Sequence, residues 1–151
     1  MPCWPACSTQ PRPCVRRVND QLYQERIVAL AKARTGAGRL ANPTKSARRD
    51  NPLCGDRVTI DVRLQDGRIA EIAHQVRGCL LCQASAAALA SVAVGKNAGE
   101  IAKVRDDAER AVGREQGTPG EPFAAFTPVA DHKSRQECVL LPLEALQEAL
   151  S

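Results

Sequence analysis

The clearest pattern in the chain lies at residues 57–64, RVTIDVRL, where Val58, Ile60, Val62 and Leu64 alternate with Arg57, Thr59, Asp61 and Arg63. Period-two alternation puts the apolar side chains on one face of a strand and the polar ones on the other. QDGR then supplies a turn, and residues 68–76, RIAEIAHQV, return as an antiparallel partner. A two-residue Asp-Gly turn would set Val62 against Glu71 and Asp61 against Ile72, apolar facing polar each time. A three-residue loop, Gln65-Asp66-Gly67, instead pairs Ile60 with Ile72 and Val62 with Ala70, and places Gly67 at the left-handed position such loops need. The three-residue loop is the expected connection, and it sets His74 opposite Val58 on the inward face.

Elsewhere the period is helical. Asn19 or Asp20 caps DQLYQERIVALAKAR, with Tyr23, Ile27, Leu30 and Ala31 on one stripe. Residues 35–52 read as loop with a short edge strand at 39–41. After Cys79, LLCQASAAALASVAVGK is helical and stops at Gly95. Asn97 and Glu100 form a capping pair for a helix whose stripe is Ile101, Val104, Ala108 and Ala111. A Pro/Gly break at 117–128 carries Phe123 and Phe126, which are expected to dock on the core. The last helix, SRQECVLLPLEALQEALS, contains Pro142, which forces a kink or a restart. The order of helix, antiparallel hairpin and further helices predicts an α+β fold, a small antiparallel sheet (57–64 and 68–76 plus the edge strand) packed against helices.

Composition narrows the class. At 151 residues the chain supports one domain with a real core; 19–151 is that domain and 1–18, rich in Pro and Cys, is a flexible tail. Aromatics make up only 3% and the net charge is +4, too little for a nucleic-acid stripe with stacking rings. No apolar run is long enough to span a membrane, and no signal-like segment opens the chain. The expected location is cytoplasmic, where the seven cysteines stay reduced; their odd number also argues against a closed disulfide framework.

Reduced cysteines are buried, reactive or metal-bound, and placing them on these elements singles out four positions. Cys54 and Asp56, two apart in extended chain, face the same way, with Gly55 between them leaving room for a ligand or a second backbone. Cys79 follows Gly78 where strand gives way to helix, and Cys138 sits in the first turns of the last helix. Three cysteines and one carboxylate match the ligand count of a tetrahedral zinc or an iron–sulfur site. Spacing alone does not show that they converge, and buried thiols beside a turn aspartate remain the plain alternative. Cys82 shares a helix face with Cys79; it reads as a buried small residue or as an auxiliary thiol. His74 reads as a packed histidine and His132 as a surface one. Cys3, Cys7 and Cys14 have irregular spacing in the tail.

On these residues the chain resembles the iron–sulfur cluster assembly scaffolds, IscU, SufU and the N-terminal domain of NifU. NPLCGDRVTIDVRLQDGRIAEI is similar to their Asn-Pro-x-Cys-Gly-Asp strand signature, GCLLCQASAAAL to their Gly-Cys-x-x-x-x-Ala-Ser segment, and SRQECVLLPLEAL to their Arg-x-x-Cys ending. The resemblance runs from about Leu22 to Leu150. It implies Cys54, Asp56, Cys79 and Cys138 as ligands of Zn²⁺ or a [2Fe–2S] cluster, with Cys138 as persulfide acceptor. It also implies a cysteine desulfurase as partner and apo iron–sulfur proteins or carriers downstream. Glu137 stands where the IscU branch has histidine, and the TPGEPFAAF insertion is similar to SufU. The role implied is a non-enzymatic scaffold or sulfur acceptor. A strict persulfide transferase and a purely structural zinc module remain alternatives. The basic stretch 44–49 and Arg135 are expected to meet an acidic partner surface.

Overall fold

In the computed structural model, which describes residues 24–52 and 55–151, RVTIDVRL lies in the central strand of a three-stranded antiparallel sheet. The strands β1 (Lys45–Asn51), β2 (Asp56–Gln65) and β3 (Arg68–Arg77) lie side by side in that order. Helix α1 covers residues 24–33. It is followed after the sheet by α2 (Leu80–Ala93), α3 (Ala98–Ala111), a 3₁₀ helix (Phe123–Asp131) and α4 (Lys133–Leu150). The fold is α+β, as expected. The tail at 1–18, the cap at Asn19 or Asp20, and Tyr23 lie outside the described residues.

Val58, Ile60 and Val62 are fully buried in the core, where α4 covers β1 and β2 while α2 covers β3. Each such side chain contributes about 1.5–3 kcal/mol on burial, and a one-residue slip of β2 would turn all three to the other face. Register is therefore tightly held. The expected three-residue loop is nevertheless corrected. Gln65 pairs with Arg68, leaving Asp66 and Gly67 as a two-residue turn with φ of 55° and 77°, both positive as a type I′ turn requires. The mismatch foreseen for that turn disappears because the register shifts between Arg63 and Leu64. Ala70 is the extra residue, a bulge, and beyond it Val62 faces Ile72. Ile60, not Val58, faces His74.

The edge strand also lies elsewhere than expected, at Lys45–Asn51 rather than 39–41. Its sequence, KSARRDN, has one apolar side chain, so no alternation announced it; hydrogen-bonded pairing to the free edge of β2 defines it. Residues 36–38 run instead along the far edge of β3, where Gly38 N–H donates to His74 O and His74 N–H to Gly36 O, both at 2.8 Å. The basic stretch is largely engaged within the fold. Arg49 reaches Glu144 and Glu148 on α4 at 3.5 and 3.6 Å, and Lys45 Nζ donates to Ser151 O.

The helices follow their sequence signals closely. Asn97 and Glu100 form a complete capping box, and Ile101, Val104, Ala108 and Ala111 are the buried stripe of α3. Gly95, with φ 88°, ends α2, and its N–H donates to Ile69 O at 2.7 Å. Phe123 and Phe126 are both buried, with ring centroids 6.0 Å apart. Pro142 lies inside one continuous helix rather than restarting it; it withholds the N–H that the carbonyl four residues earlier, on Cys138, would otherwise take.

On the outer face of the sheet Asp61 is fully buried under the loop that crosses from β3 to β1. Its carboxylate accepts from Arg39 Nε at 2.6 Å, Ser46 Oγ at 2.6 Å and Leu40 N at 3.2 Å. Burial alone would raise its pKa, but the bonds from Arg39, Ser46 and Leu40 outweigh it and hold the carboxyl below its usual range. A depressed carboxyl stabilises the fold above its unfolded value, about 3.9, and the contribution fades as pH falls through the folded value. Asp61→Asn should therefore lower stability at pH 7 by about 1–3 kcal/mol. Urea unfolding of both proteins at pH 7 and near pH 3 checks this, with the gap between them narrowing at the acid end.

Candidate metal centre

Two helix starts and one strand start meet at the same end of the sheet. Asp56 opens β2, Cys79 is the residue that caps α2, and Cys138 lies in the second turn of α4. A carboxylate oxygen of Asp56 and the Sγ atoms of Cys79 and Cys138 all fall within 4.8 Å of one another. Three of the four ligands expected from sequence are thus brought together. The fourth, Cys54, lies outside the described residues, directly before the Gly55 and Asp56 that line the cavity.

The local sequence explains the convergence. Gly78 sits between β3 and α2, and a Cβ there would come within 2.5 Å of Asp56 Oδ1. Only glycine lets the Asp56 side chain pass under the chain at this point. The carboxylate then accepts the Cys79 N–H at 3.1 Å through Oδ1, and the Cys79 thiol lies 3.5 Å from Oδ2. Asp56 so caps α2 in place of a side chain of Cys79, which makes no cap bond. Gly55 lines the same cavity, where a Cβ would meet nothing within 4 Å among the described residues, and its φ of 74° adds a conformational need for glycine. The close approach belongs to Gly78, signalled only by its place before a cysteine at a strand-to-helix junction.

Cys138 is positioned from the other side. Ser85 on α2 donates to Val139 O at 2.5 Å, joining the two helices one residue beyond the thiol. The cavity at the three side chains has a volume of about 490 Å³ and is also lined by Arg77, Ser134 and Arg135. Neither guanidinium takes a carboxylate among the described residues, and both arginines line the cavity beside Asp56. Cys79 is half-buried, whereas Cys138 is only 1% exposed.

The remaining candidates separate clearly. Cys82 is fully buried in the core and is not part of the three-ligand group. His74 lines a different cavity, with Arg34 and Gln83; burial pushes its imidazole below the ordinary range, against a bond from Nε2 to Thr35 O at 2.7 Å. His132 is exposed at the start of α4. Glu137 turns its carboxylate to Arg114 at 2.5 Å and joins no ligand group. Cys3, Cys7 and Cys14 lie outside the described residues. No helix among the described residues is long and apolar enough to cross a membrane.

Thiolate and carboxylate donors at these separations suit a thiophilic, four-coordinate ion or an iron–sulfur cluster. The donor set fits either, since soft sulfur dominates and one harder oxygen is exchangeable. Gly78→Ala should push the Asp56 carboxylate aside and weaken zinc binding by about 10–100-fold, the usual effect of disturbing a ligand's support. A competition titration against a chromogenic chelator, with circular dichroism to verify the fold, measures it.

Comparison with known proteins identifies relatives of the whole described fold. The family model described as NifU-like N terminal domain matches residues 22–150. The iron-sulfur cluster assembly scaffold protein IscU of Thermotoga maritima is 26% identical over 135 residues, covering 88% of this chain and 95% of the relative. Among solved structures, the N-terminal NifU-like protein from Brucella abortus aligns with a TM-score of 0.78 at 32% identity, over 87% of this chain and 93% of its own. FiSufU from Fervidobacterium islandicum AW-1 aligns with a TM-score of 0.77 at 28% identity, over 84% and 95%.

Proposed function

The chain belongs to the NifU-like N-terminal domain family, and from that premise we propose that it works in iron–sulfur cluster assembly. It serves as a scaffold for a [2Fe–2S] cluster and, with Zn²⁺ in the same site, as acceptor of persulfide sulfur from a cysteine desulfurase. The observation that carries this reading is the convergence of Asp56, Cys79 and Cys138 within 4.8 Å at the mouth of an open cavity. A purely structural zinc site is usually built of cysteine and histidine alone; the Asp56 carboxylate in this group departs from that pattern.

Cys54, Asp56, Cys79 and Cys138 are the proposed ligands. Three thiolates and a carboxylate would hold Zn²⁺ with a net charge of about −2, a shell in which release of the Cys138 thiolate would relieve repulsion and free a nucleophile. Cys138 is the proposed acceptor. Its thiolate attacks the outer sulfur of the desulfurase persulfide, the new S–S bond forms on Cys138, and the desulfurase cysteine leaves as thiolate. Arg77 and Arg135, both lining the cavity, face the incoming anionic sulfur. The ease with which a carboxylate exchanges makes Asp56 the ligand that opens the site for transfer.

Cluster loading and sulfur loading separate the two roles. Anaerobic reconstitution with iron and sulfide should give a visible chromophore that passes to an apo-ferredoxin, and Asp56→Ala should slow that transfer by about tenfold by holding the cluster longer. If Asp56→Ala only lowers the unfolding midpoint and leaves transfer unchanged, the site is structural. In parallel, incubation of the zinc-loaded protein, in which the metal would hold Cys79, with a desulfurase and cysteine should add one sulfur to the chain, by mass spectrometry, and Cys138→Ala should abolish the addition.

A further inference from the structure

Among the described residues Cys82 is the thiol this scheme leaves unused, and its position relative to Cys79 is specific. Cys79 is the cap of α2, with φ −71° and ψ 168°, and Cys82 is the third residue of the helix. Those two positions face each other across the first turn, which is why a capping side chain reaches the third amide. The turn is closed here, Gln83 N–H donating to Cys79 O at 3.1 Å. Because the cap position is the one whose side chain reaches the third residue, a change of the half-in cap residue alone can bring the two Cβ atoms to the roughly 3.5–4.5 Å of a disulfide. Neither thiol is in a disulfide.

Exposure orders the sulfurs. Cys79 is half-buried and borders the cavity, while Cys82 has no exposed surface. Of the pair, Cys79 is therefore the thiol that a sulfur species in the cavity meets first. Cys79 Sγ in turn lies within 4.8 Å of Cys138 Sγ, and both residues line the cavity, so sulfur held on Cys138 is within reach of Cys79.

We propose that Cys79-Leu80-Leu81-Cys82 is a dithiol that reduces bound sulfane sulfur to sulfide inside the site. The inference rests on the sulfur-acceptor reading above. Sulfane sulfur on Cys138 stands two electrons above the sulfide from which a cluster is built, and the dithiol supplies those electrons. The Cys79 thiolate attacks the outer sulfur of the Cys138 persulfide; that S–S bond breaks and Cys138 leaves as thiolate. Cys82 then attacks Sγ of the Cys79 persulfide, the Cys79–Cys82 bond forms, and the outer sulfur departs as HS⁻ with the Cys82 proton passing to solvent. The dithiol is oxidised by two electrons and the sulfane sulfur reduced by two. A thiol reductant, of small-molecule or dithiol-protein class, reopens the disulfide for the next round.

The test uses the full, metal-free chain with Cys3, Cys7 and Cys14 replaced by serine, reduced and then freed of reductant without oxygen. It is loaded either by a desulfurase with cysteine or by inorganic polysulfide. The expected product is a chain that retains no extra sulfur and carries a Cys79–Cys82 bridge by peptide mapping. Cys82→Ala, with an unchanged circular dichroism spectrum, should keep the added sulfur and release sulfide at least about tenfold more slowly. Equal release from Cys82→Ala, or a bridge mapped to another pair, overturns the inference. The mapping of the parent chain needs no variant, so a parent that loads and forms no bridge overturns it even if Cys82→Ala does not fold. Loading by polysulfide with bridge formation, but none by the desulfurase, sinks the acceptor reading and supports the dithiol. Failure of polysulfide to oxidise the pair at all contradicts the dithiol.

Discussion

The bond from the Cys79 amide to the Asp56 carboxylate, 3.1 Å long, joins the start of the central strand to the start of α2 across a gap that only Gly78 permits. It satisfies one of the orphan N–H groups that every helix exposes at its start, and in doing so aims a carboxylate and a thiol at the same point. Without it the two elements would still form, since each has its own apolar face. Their functional side chains would lack a common target. Structure and chemistry here use the same atoms.

Everything else sets the distance between that point and Cys138. The inner face of β2 packs under α4, and α2 is joined to α4 by the Ser85 bond to Val139 O. On the outer face, buried Asp61 gathers Arg39, Leu40 and Ser46 and so secures both the crossing loop and the edge strand. The arginines of β1 that look free in sequence partly serve this scaffold, through Arg49 and the two glutamates of α4. Arg77 of β3 and Arg135 of α4 line the cavity itself.

Features carried by local chemistry were legible in the sequence. The alternation of β2, the capping box at Asn97 and Glu100, the stop at Gly95 and the docking of Phe123 and Phe126 each depend on a few neighbouring residues. What could not be read depends on partners far along the chain. Ser46 and Arg48 carry no strand pattern, because β1 gains its identity from the open edge of β2. Ala70 gives no local sign of a bulge; only the demand that Val62 meet Ile72 rather than Glu71 forces one. Asp56, Cys79 and Cys138 were nameable as candidates by residue type and by family resemblance, but their approach to within 4.8 Å is a property of the fold. Gly78 was passed over because the side chain it makes room for lies 22 residues earlier.

The central claim is that one carboxylate and cysteine thiolates from three separate elements form a single coordination shell. X-ray absorption at the zinc edge of the zinc-loaded protein measures that shell directly. The account predicts three sulfurs at about 2.3 Å and one oxygen at about 2.0–2.2 Å, with Cys54 supplying the third sulfur beside Cys79 and Cys138. A shell of nitrogen and oxygen alone, or four sulfurs with no oxygen, would contradict it.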